Sequence, residues 1–269
     1  IYGGAYSFID MVKFEKYQAT GNDFILIDNM DLSLELAVNT ISHLCNRKFG
    51  IGSDGLILIQ PHQTCDFEMV FYNPDSSHSL CGNGSRCAVN FANSIGLIKG
   101  NSTTFLAHDG IHRAELLADG QVKLEMADVQ NVRLLPHGMF VDTGSPHLIK
   151  YIVNIANYPV FNEGKSIRNG GLFAESGVNV NFVEISGDNE INVRTYERGV
   201  EDETLSCGTG VTAAAITASH KGLSSPVSIK TRGGDLTVEF KQVSKESYTY
   251  IYLIGPAIKV FSGSFKIDN

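Results

Sequence analysis

The stretch Cys81-Gly82-Asn83-Gly84-Ser85-Arg86-Cys87-Ala88-Val89-Asn90-Phe91-Ala92 is echoed later in the chain by Cys207-Gly208-Thr209-Gly210-Val211-Thr212-Ala213-Ala214-Ala215-Ile216. Each is a cysteine, a Gly-x-Gly and a helical run. Each also reaches a Gly-Leu pair, Gly96-Leu97 and Gly222-Leu223, whose glycine lies 15 residues past the cysteine. Self-similarity of this kind marks an internal duplication. At an offset of 123 to 126 residues, Thr20-Gly21-Asn22-Asp23-Phe24 aligns with Thr143-Gly144-Ser145-Pro146-His147, and Phe71-Tyr72-Asn73 with Thr195-Tyr196-Glu197. The chain reads as a tandem pair dividing near residue 131, with an N-terminal half over residues 11–131 and a C-terminal half over 132–255. Residues 1–10 precede the first strand-like stretch, Val12 to Tyr17, and read as an upstream extension.

Within each half the pattern is of many short strands and few helices. Ile25 to Ile27, Leu56 to Gln60 and Phe67 to Tyr72 are apolar or alternating. Asp109-Gly110 and Gly233-Gly234 read as hairpin turns, leading to the alternating runs Val122 to Met126 and Leu236 to Phe240. Ala213 to Ser219 is apolar almost all round, so the spacing predicts a helix enclosed by strands, with Arg86 to Ile95 as its counterpart. The expected class is mixed α/β of the α+β kind, in two pseudo-symmetric repeats.

Composition narrows the function. Lys plus Arg number 21 against 29 Asp plus Glu, a net charge of −8, which is the wrong balance for a phosphate-backbone binder, so nucleic acid is not expected as a partner. No apolar run approaches the roughly 18 residues of a membrane span, and no membrane association is expected. Five cysteines, an odd number, without a secretory leader pattern point to free thiols in a reducing cytoplasm.

A helix that begins just after a cysteine, through Gly-x-Gly, holds the sulfur at the positive end of its dipole beside unpaired N–H groups. That placement is expected to lower the thiol pKa. The same N–H groups bind a carboxylate, which the glycines allow close to the backbone. If the duplicated helix starts converge, two thiols face one another across the carbon bearing that carboxylate. One thiolate can then take its proton from one face while the opposite thiol reprotonates the other, which is racemisation or epimerisation. No metal-ligand spacing, Rossmann fingerprint, Walker loop or pyridoxal phosphate motif is present, so neither metal nor cofactor is expected.

Six stretches, Thr20-Gly21-Asn22-Asp23-Phe24, Gly50-Ile51-Gly52-Ser53-Asp54-Gly55, Cys81 to Cys87, Val178-Asn179-Val180, Tyr196-Glu197-Arg198-Gly199 and Cys207-Gly208-Thr209-Gly210, resemble diaminopimelate epimerase in order and spacing over residues 12 to about 262. The resemblance implies a cofactor-independent isomerase that interconverts LL- and meso-2,6-diaminopimelate, a precursor of lysine and peptidoglycan. It also implies two α/β halves, each a mixed sheet curled round a central helix, with a C-terminal strand near 256–269 returning to the first half, and it is compatible with a homodimer. By the same resemblance Cys81 and Cys207 are the catalytic pair, and Gly82, Asn83, Gly208 and Thr209 hold the α-carboxylate. Asn22, Asn73, Asn179, Glu197 and Arg198 hold the amino groups and distal carboxylate, and His147 and Glu197 modulate the thiols. A guanidinium suits a carboxylate, and amide or carboxylate oxygens suit an ammonium. The chain departs from the family pattern at Ser145, at Gly55 and in the shortened loop Ser76-Ser77-His78 before Cys81.

Blander readings compete at each position. A lone free cysteine is usually a small buried hydrophobe; the duplicated context argues otherwise for Cys81 and Cys207, whereas Cys45, Cys65 and Cys87 read as core. For His147 the competing reading is a loop residue capping a carbonyl, for Glu197 and Arg198 a solvated pair, and for Asn22 and Asn179 turn-formers, with the functional reading preferred for each; Asp54 reads equally as a turn-former or a ligand. A proline or hydroxyproline racemase would carry Cys-Gly-His-Gly where Asn83 stands. A thiol-redox or amino-acid-binding protein would also explain paired cysteines, but redox motifs favour Cys-x-x-Cys.

Overall fold

The computed structural model describes residues 11–267; the expected upstream extension, residues 1–10, lies outside the described residues. The first repeat opens with β1 (Met11–Ala19) and β2 (Asn22–Asp28), an antiparallel pair joined by a tight turn at Thr20 and Gly21, both with positive φ. After α1 (Val38–Cys45), β3 (Gly55–Gln60) lies parallel to β2, and β4 (Phe67–Tyr72) returns antiparallel to it. Helix α2 (Gly82–Ser94) leads to β5 (Ser102–Ala107), parallel to β4, and β6 (Gly110–Leu116) and β7 (Val122–Met126) follow as antiparallel neighbours.

After the short β8 (Arg133–Leu135) the same moves recur. Strands β9 (Gly138–Asp142) and β10 (Pro146–Tyr151) pair antiparallel, and α3 (Val160–Arg168) precedes β11 (Asn179–Gly187), which is parallel to β10. Strand β12 (Glu190–Glu197) returns antiparallel and carries the small β13 (Asp202–Thr204) on its edge. Helix α4 (Gly208–Ala218) leads to β14 (Val227–Thr231), parallel to β12, then β15 (Gly234–Gln242) and β16 (Tyr248–Gly255). The chain ends in β17 (Ile258–Lys266).

Three strand pairings join the two series. Strand β7 pairs antiparallel with β16, placing Leu124 opposite Leu253. The strand that follows each series also crosses to the opening strand of the other: β8 pairs with β9, and β17 runs along β1 from Met11↔Lys266 to Gln18↔Ile258. Among the described residues all seventeen strands thereby join one mixed sheet, with few helices.

Burial explains the strand sequences. In β3, Leu56 and Leu58 pack with Ile41 and Leu44 of α1, while Ile57 and Ile59 face the core around α2. A strand covered on both faces needs no polar alternation. Strand β7 alternates because only Val122, Leu124 and Met126 turn inward. Helix α4 is buried at every position but Thr209, which suits its Ala213-Ala214-Ala215 run: small side chains let strands β9 to β12 and β14 to β16 close round it. Helix α2 is wrapped in the same way by β1 to β4, β6 and β7. Among the other cysteines Cys45 and Cys87 are buried as expected, but Cys65 is half-exposed, because it sits in the loop between β3 and β4 rather than on a strand.

Leu253 lies between the two helix starts, since a Cβ added at Gly82 or at Gly208 would meet its Cδ2 at 3.8 and 3.1 Å respectively. Leu253→Ala is therefore expected to destabilise the fold by about 2–5 kcal/mol in urea unfolding, whereas Lys245→Ala, on an exposed turn, should change it by less than about 0.5 kcal/mol.

Candidate active site

Cys81 and Cys207 are the N-cap residues of α2 and α4, with almost the same extended backbone, φ −129° and ψ 110° against φ −127° and ψ 112°. The extended N-cap conformation turns each chain from strand into helix and aims its first N–H groups at the space beside the sulfur. A Cβ on Gly208 would lie 3.8 Å from the Gly82 Cα and from Asn83 Oδ1, so the helix starts converge. Gly82, Asn83, Gly208 and Thr209 therefore form one patch of helix-terminal backbone between the two cysteines.

The sulfurs have different partners. Cys81 Sγ accepts from the Gly84 N–H at 3.4 Å and lies 3.6 Å from Asn22 Oδ1, to which its S–H can donate. The Asn22 amide is oriented from behind: its Nδ2 donates to Asp54 Oδ2 at 2.5 Å, and Asp54 Oδ1 in turn accepts from Arg47 at 2.8 Å. Asn83 Nδ2 donates to Asn22 Oδ1 at 3.3 Å and to the Ser206 carbonyl at 3.5 Å, bridging the residues beside both cysteines. Asn83 Oδ1 accepts from Arg86 Nη2 at 2.9 Å. Cys207 Sγ makes no capping bond; its neighbour is Thr209 Oγ1 at 3.5 Å. Thr209 Oγ1 is also 2.9 Å from Nε2 of His147, which is fully buried.

Burial overrides the helix dipoles. It pushes the Cys81 thiol up to about 11 and the Cys207 thiol up to about 12, and the nearby Glu197 carboxylate adds to both shifts. The lowered thiol pKa expected from the helix starts is thus not found: desolvation of a thiolate outweighs the partial charge of a helix terminus. Burial also raises Glu197 and holds His147 down at about 3, so the imidazole is neutral. Arg86 is fully buried with hydroxyl and carbonyl partners only, Thr20 Oγ1, Asn83 Oδ1, Gly82 O and Pro256 O, and burial lowers it to about 10.

The other expected site residues have partners of their own. Asn179 is buried and spends both ends of its amide: Nδ2 donates to Ser145 Oγ at 2.9 Å and Oδ1 accepts from the Arg198 backbone N–H at 2.8 Å. Arg198 is exposed, with Nη1 donating to the Ser176 carbonyl at 3.0 Å. The Asn73 amide is turned into its own loop, donating to Ser77 and Ser79, rather than toward the cysteines. Ser145 is an acceptor for Asn179. Gly55 is required by packing, since a Cβ there would come within 2.5 Å of the Phe71 ring. Among the described residues no three His, Cys, Asp or Glu side chains gather into a metal-binding group, and no helix is long and apolar enough to cross a membrane.

Sequence reasoning missed Arg86, Asn181 and Thr195 and undervalued Asp54. A signal for the first two was present: Arg86 directly precedes the apolar Cys87-Ala88-Val89 of an enclosed helix, and Asn181 stands between Val180 and Phe182, where burial demands a partner.

Comparison with known proteins places this geometry. The family model for diaminopimelate epimerase matches residues 14–132 and 139–260. A diaminopimelate epimerase of Flavobacterium psychrophilum is 48% identical over 93% of this chain and 98% of its own length. Another from Chlorobaculum tepidum is 42% identical over 92% and 98%. In three dimensions a phenazine biosynthesis protein of the PhzF family from Bacillus anthracis superposes with a TM-score of 0.74 over 96% of this chain and all of that one, at 15% identity, which speaks to the fold. So does a probable proline racemase from Agrobacterium radiobacter, with a TM-score of 0.68 over 96% and 93% at 15% identity. The match to the family model and to close relatives over nearly their full length settles the membership: this chain belongs to the diaminopimelate epimerase family, a family of isomerases.

Proposed function

We propose that the chain interconverts LL- and meso-2,6-diaminopimelate in the cytoplasm, without a cofactor, on the route to lysine and peptidoglycan precursors, with Cys81 and Cys207 as the acid–base pair. The observation that carries this reading is the convergence of two N-cap cysteines of matching backbone geometry, one from each repeat. The N–H groups of Gly82, Asn83, Gly208 and Thr209 bind the α-carboxylate, which fixes the α-carbon between the sulfurs. One sulfur, as thiolate, takes the α-proton; the opposite thiol delivers its own proton to the other face. Charge balances within the pair, and each turnover leaves the protonation states exchanged, ready for the reverse reaction. The buried thiols ionise reluctantly, and the substrate's ammonium groups supply the positive charge that favours a thiolate once they are bound.

Asn22, Asn73, Asn179, Glu197 and Arg198 hold the ammonium groups and the distal carboxylate, and His147 and Glu197 modulate the thiols. The halves 11–131, with the returning strand near 256–269, and 132–255 act as two lobes closing on the substrate. A homodimer accords with β17, which among the described residues pairs only with β1 and exposes Ile258, Val260 and Phe261.

Cys81→Ala and Cys207→Ala are each expected to lower turnover of LL-diaminopimelate, followed by chiral chromatography, by at least about 10²–10⁴-fold, the usual worth of a general acid–base group; near-normal turnover in either would rule out the two-base assignment. Arg198→Lys is expected to raise KM about tenfold and erode the preference for diaminopimelate over lysine, because an ammonium cannot reproduce a bidentate fork. An unchanged preference would place the distal carboxylate elsewhere. Because both thiols lie above the ordinary range, alkylation of the substrate-free protein by iodoacetamide should still be rising about tenfold per pH unit between about pH 8 and pH 10. A plateau before about pH 8 would contradict the burial argument.

A further inference from the structure

The two repeats fill equivalent positions beneath their cysteines with opposite chemistry. Beneath α2, Phe24 on β2, Ile57 on β3 and Phe71 on β4 are buried together; Ile57 is paired opposite Phe71, and the Phe24 and Phe71 rings meet edge-on at 6.0 Å. A Cβ on Gly84 would meet Ile57 Cδ1 at 3.3 Å and Phe24 Cε1 at 3.6 Å. In the second repeat the same three places hold His147 on β10, Asn181 on β11 and Thr195 on β12, with Asn181 paired opposite Thr195. All three are buried, and a Cβ on Gly210 would come within 2.3 Å of Asn181 Oδ1. An apolar trio under Cys81 is thus replaced by a hydrogen-bonded polar trio under Cys207.

That trio has one consistent proton direction. Asn181 Nδ2 lies 3.5 Å from the Asn179 carbonyl, which can only accept, so this end of the amide is the nitrogen. It then donates to His147 Nδ1 at 3.0 Å, while Thr195 Oγ1 donates to Asn181 Oδ1 at 2.8 Å. With Nδ1 accepting, a neutral His147 carries its proton on Nε2 and donates to Thr209 Oγ1 at 2.9 Å. The Thr209 hydroxyl, its lone pair so engaged, has its proton free for Cys207 Sγ at 3.5 Å.

We infer that Asn181 and Thr195 are positioning residues that lock His147 in its Nε2–H tautomer and so turn the Thr209 hydroxyl into a hydrogen-bond donor to Cys207. The inference rests on Cys207 as an acid–base group, as proposed above, and extends the machinery to two residues that touch no substrate. A hydrogen bond donated to sulfur favours its thiolate. The charged and titratable groups around the chain are Glu197 at the end of β12 and Cys81 at the start of α2, both bearing on Cys207, and Arg198 bearing on His147. Arg86 of α2 bears on Cys81.

The test uses the whole protein and two readouts independent of turnover. In ¹⁵N-histidine spectra near neutral pH, His147 should carry its proton on Nε2, and Asn181→Leu should weaken that preference; a wild-type proton on Nδ1 would overturn the inference. By peptide mapping after iodoacetamide, Asn181→Leu should slow alkylation of Cys207 about tenfold at a fixed pH near 9, with Cys81 in the same molecule unchanged. Thr195→Val, which removes only a hydroxyl, should act in the same direction more weakly and serves if Asn181→Leu does not fold. Equal slowing at both cysteines, or none at Cys207 in a folded variant, would make the trio structural only and overturn the assignment. Loss of diaminopimelate turnover with an unchanged His147 tautomer and Cys207 profile would count against this inference, whereas an intact tautomer effect in a protein that never turns over diaminopimelate would count against the proposed reaction instead.

Discussion

The antiparallel pairing of β7 with β16 is the constraint from which the rest of the site follows. Each strand closes its own repeat and lies against the helix that its repeat encloses, so joining the two edges brings both helices to one seam. Leu253, on β16, is then wedged between the starts of α2 and α4. Two N-terminal dipoles pointing into one place would repel through their exposed N–H groups unless an anion sat between them. The seam therefore presents two helix N-termini to one place, which is the arrangement the proposed carboxylate binding draws on.

Strand exchange reinforces this arrangement. The pairings of β8 with β9 and of β17 with β1 tie the end of each repeat to the beginning of the other. Such crossings resist separation of the repeats, because parting them would break ladder hydrogen bonds that the two edges cannot replace internally. They also carry Pro256, just before β17, back to the buried guanidinium of Arg86, so the core of the first repeat is completed by the end of the chain.

Within that frame symmetry is kept in the backbone and broken in the side chains. The two cysteines share φ and ψ to within a few degrees, yet one faces an amide oxygen held by Asp54 and the other a threonine hydroxyl backed by imidazole. A reaction that inverts one carbon needs matched placement of two groups. It does not require that the surroundings of the two groups match.

The duplication, the positions of the two enclosed helices α2 and α4 and the pairing of cysteines with Gly-x-Gly were legible in the chain, because they depend on local pattern: glycine next to a helix start, apolar runs for covered strands, small residues for an enclosed helix; α1 and α3 were not. Gly82, Asn83, Gly208 and Thr209 were assigned to the α-carboxylate by resemblance to the family and belong to the proposed site. What lay beyond local pattern depended on distance across the fold. The thiol pKa values turned on burial, which the dipole argument could not weigh, so they moved up rather than down. Asn73 hydrogen-bonds within its own loop and Asn179 accepts from the Arg198 backbone N–H, contacts that depend on how the loops fold back rather than on local pattern. Asn181 and Thr195 lie 14 residues apart and 34 and 48 residues past His147, and only strand register makes them neighbours. Sequence determined which groups this protein possesses and the two frames that repeat them; tertiary structure decided which groups meet, because a hydrogen bond acts over about 3 Å while the residues that form it are scattered along the chain.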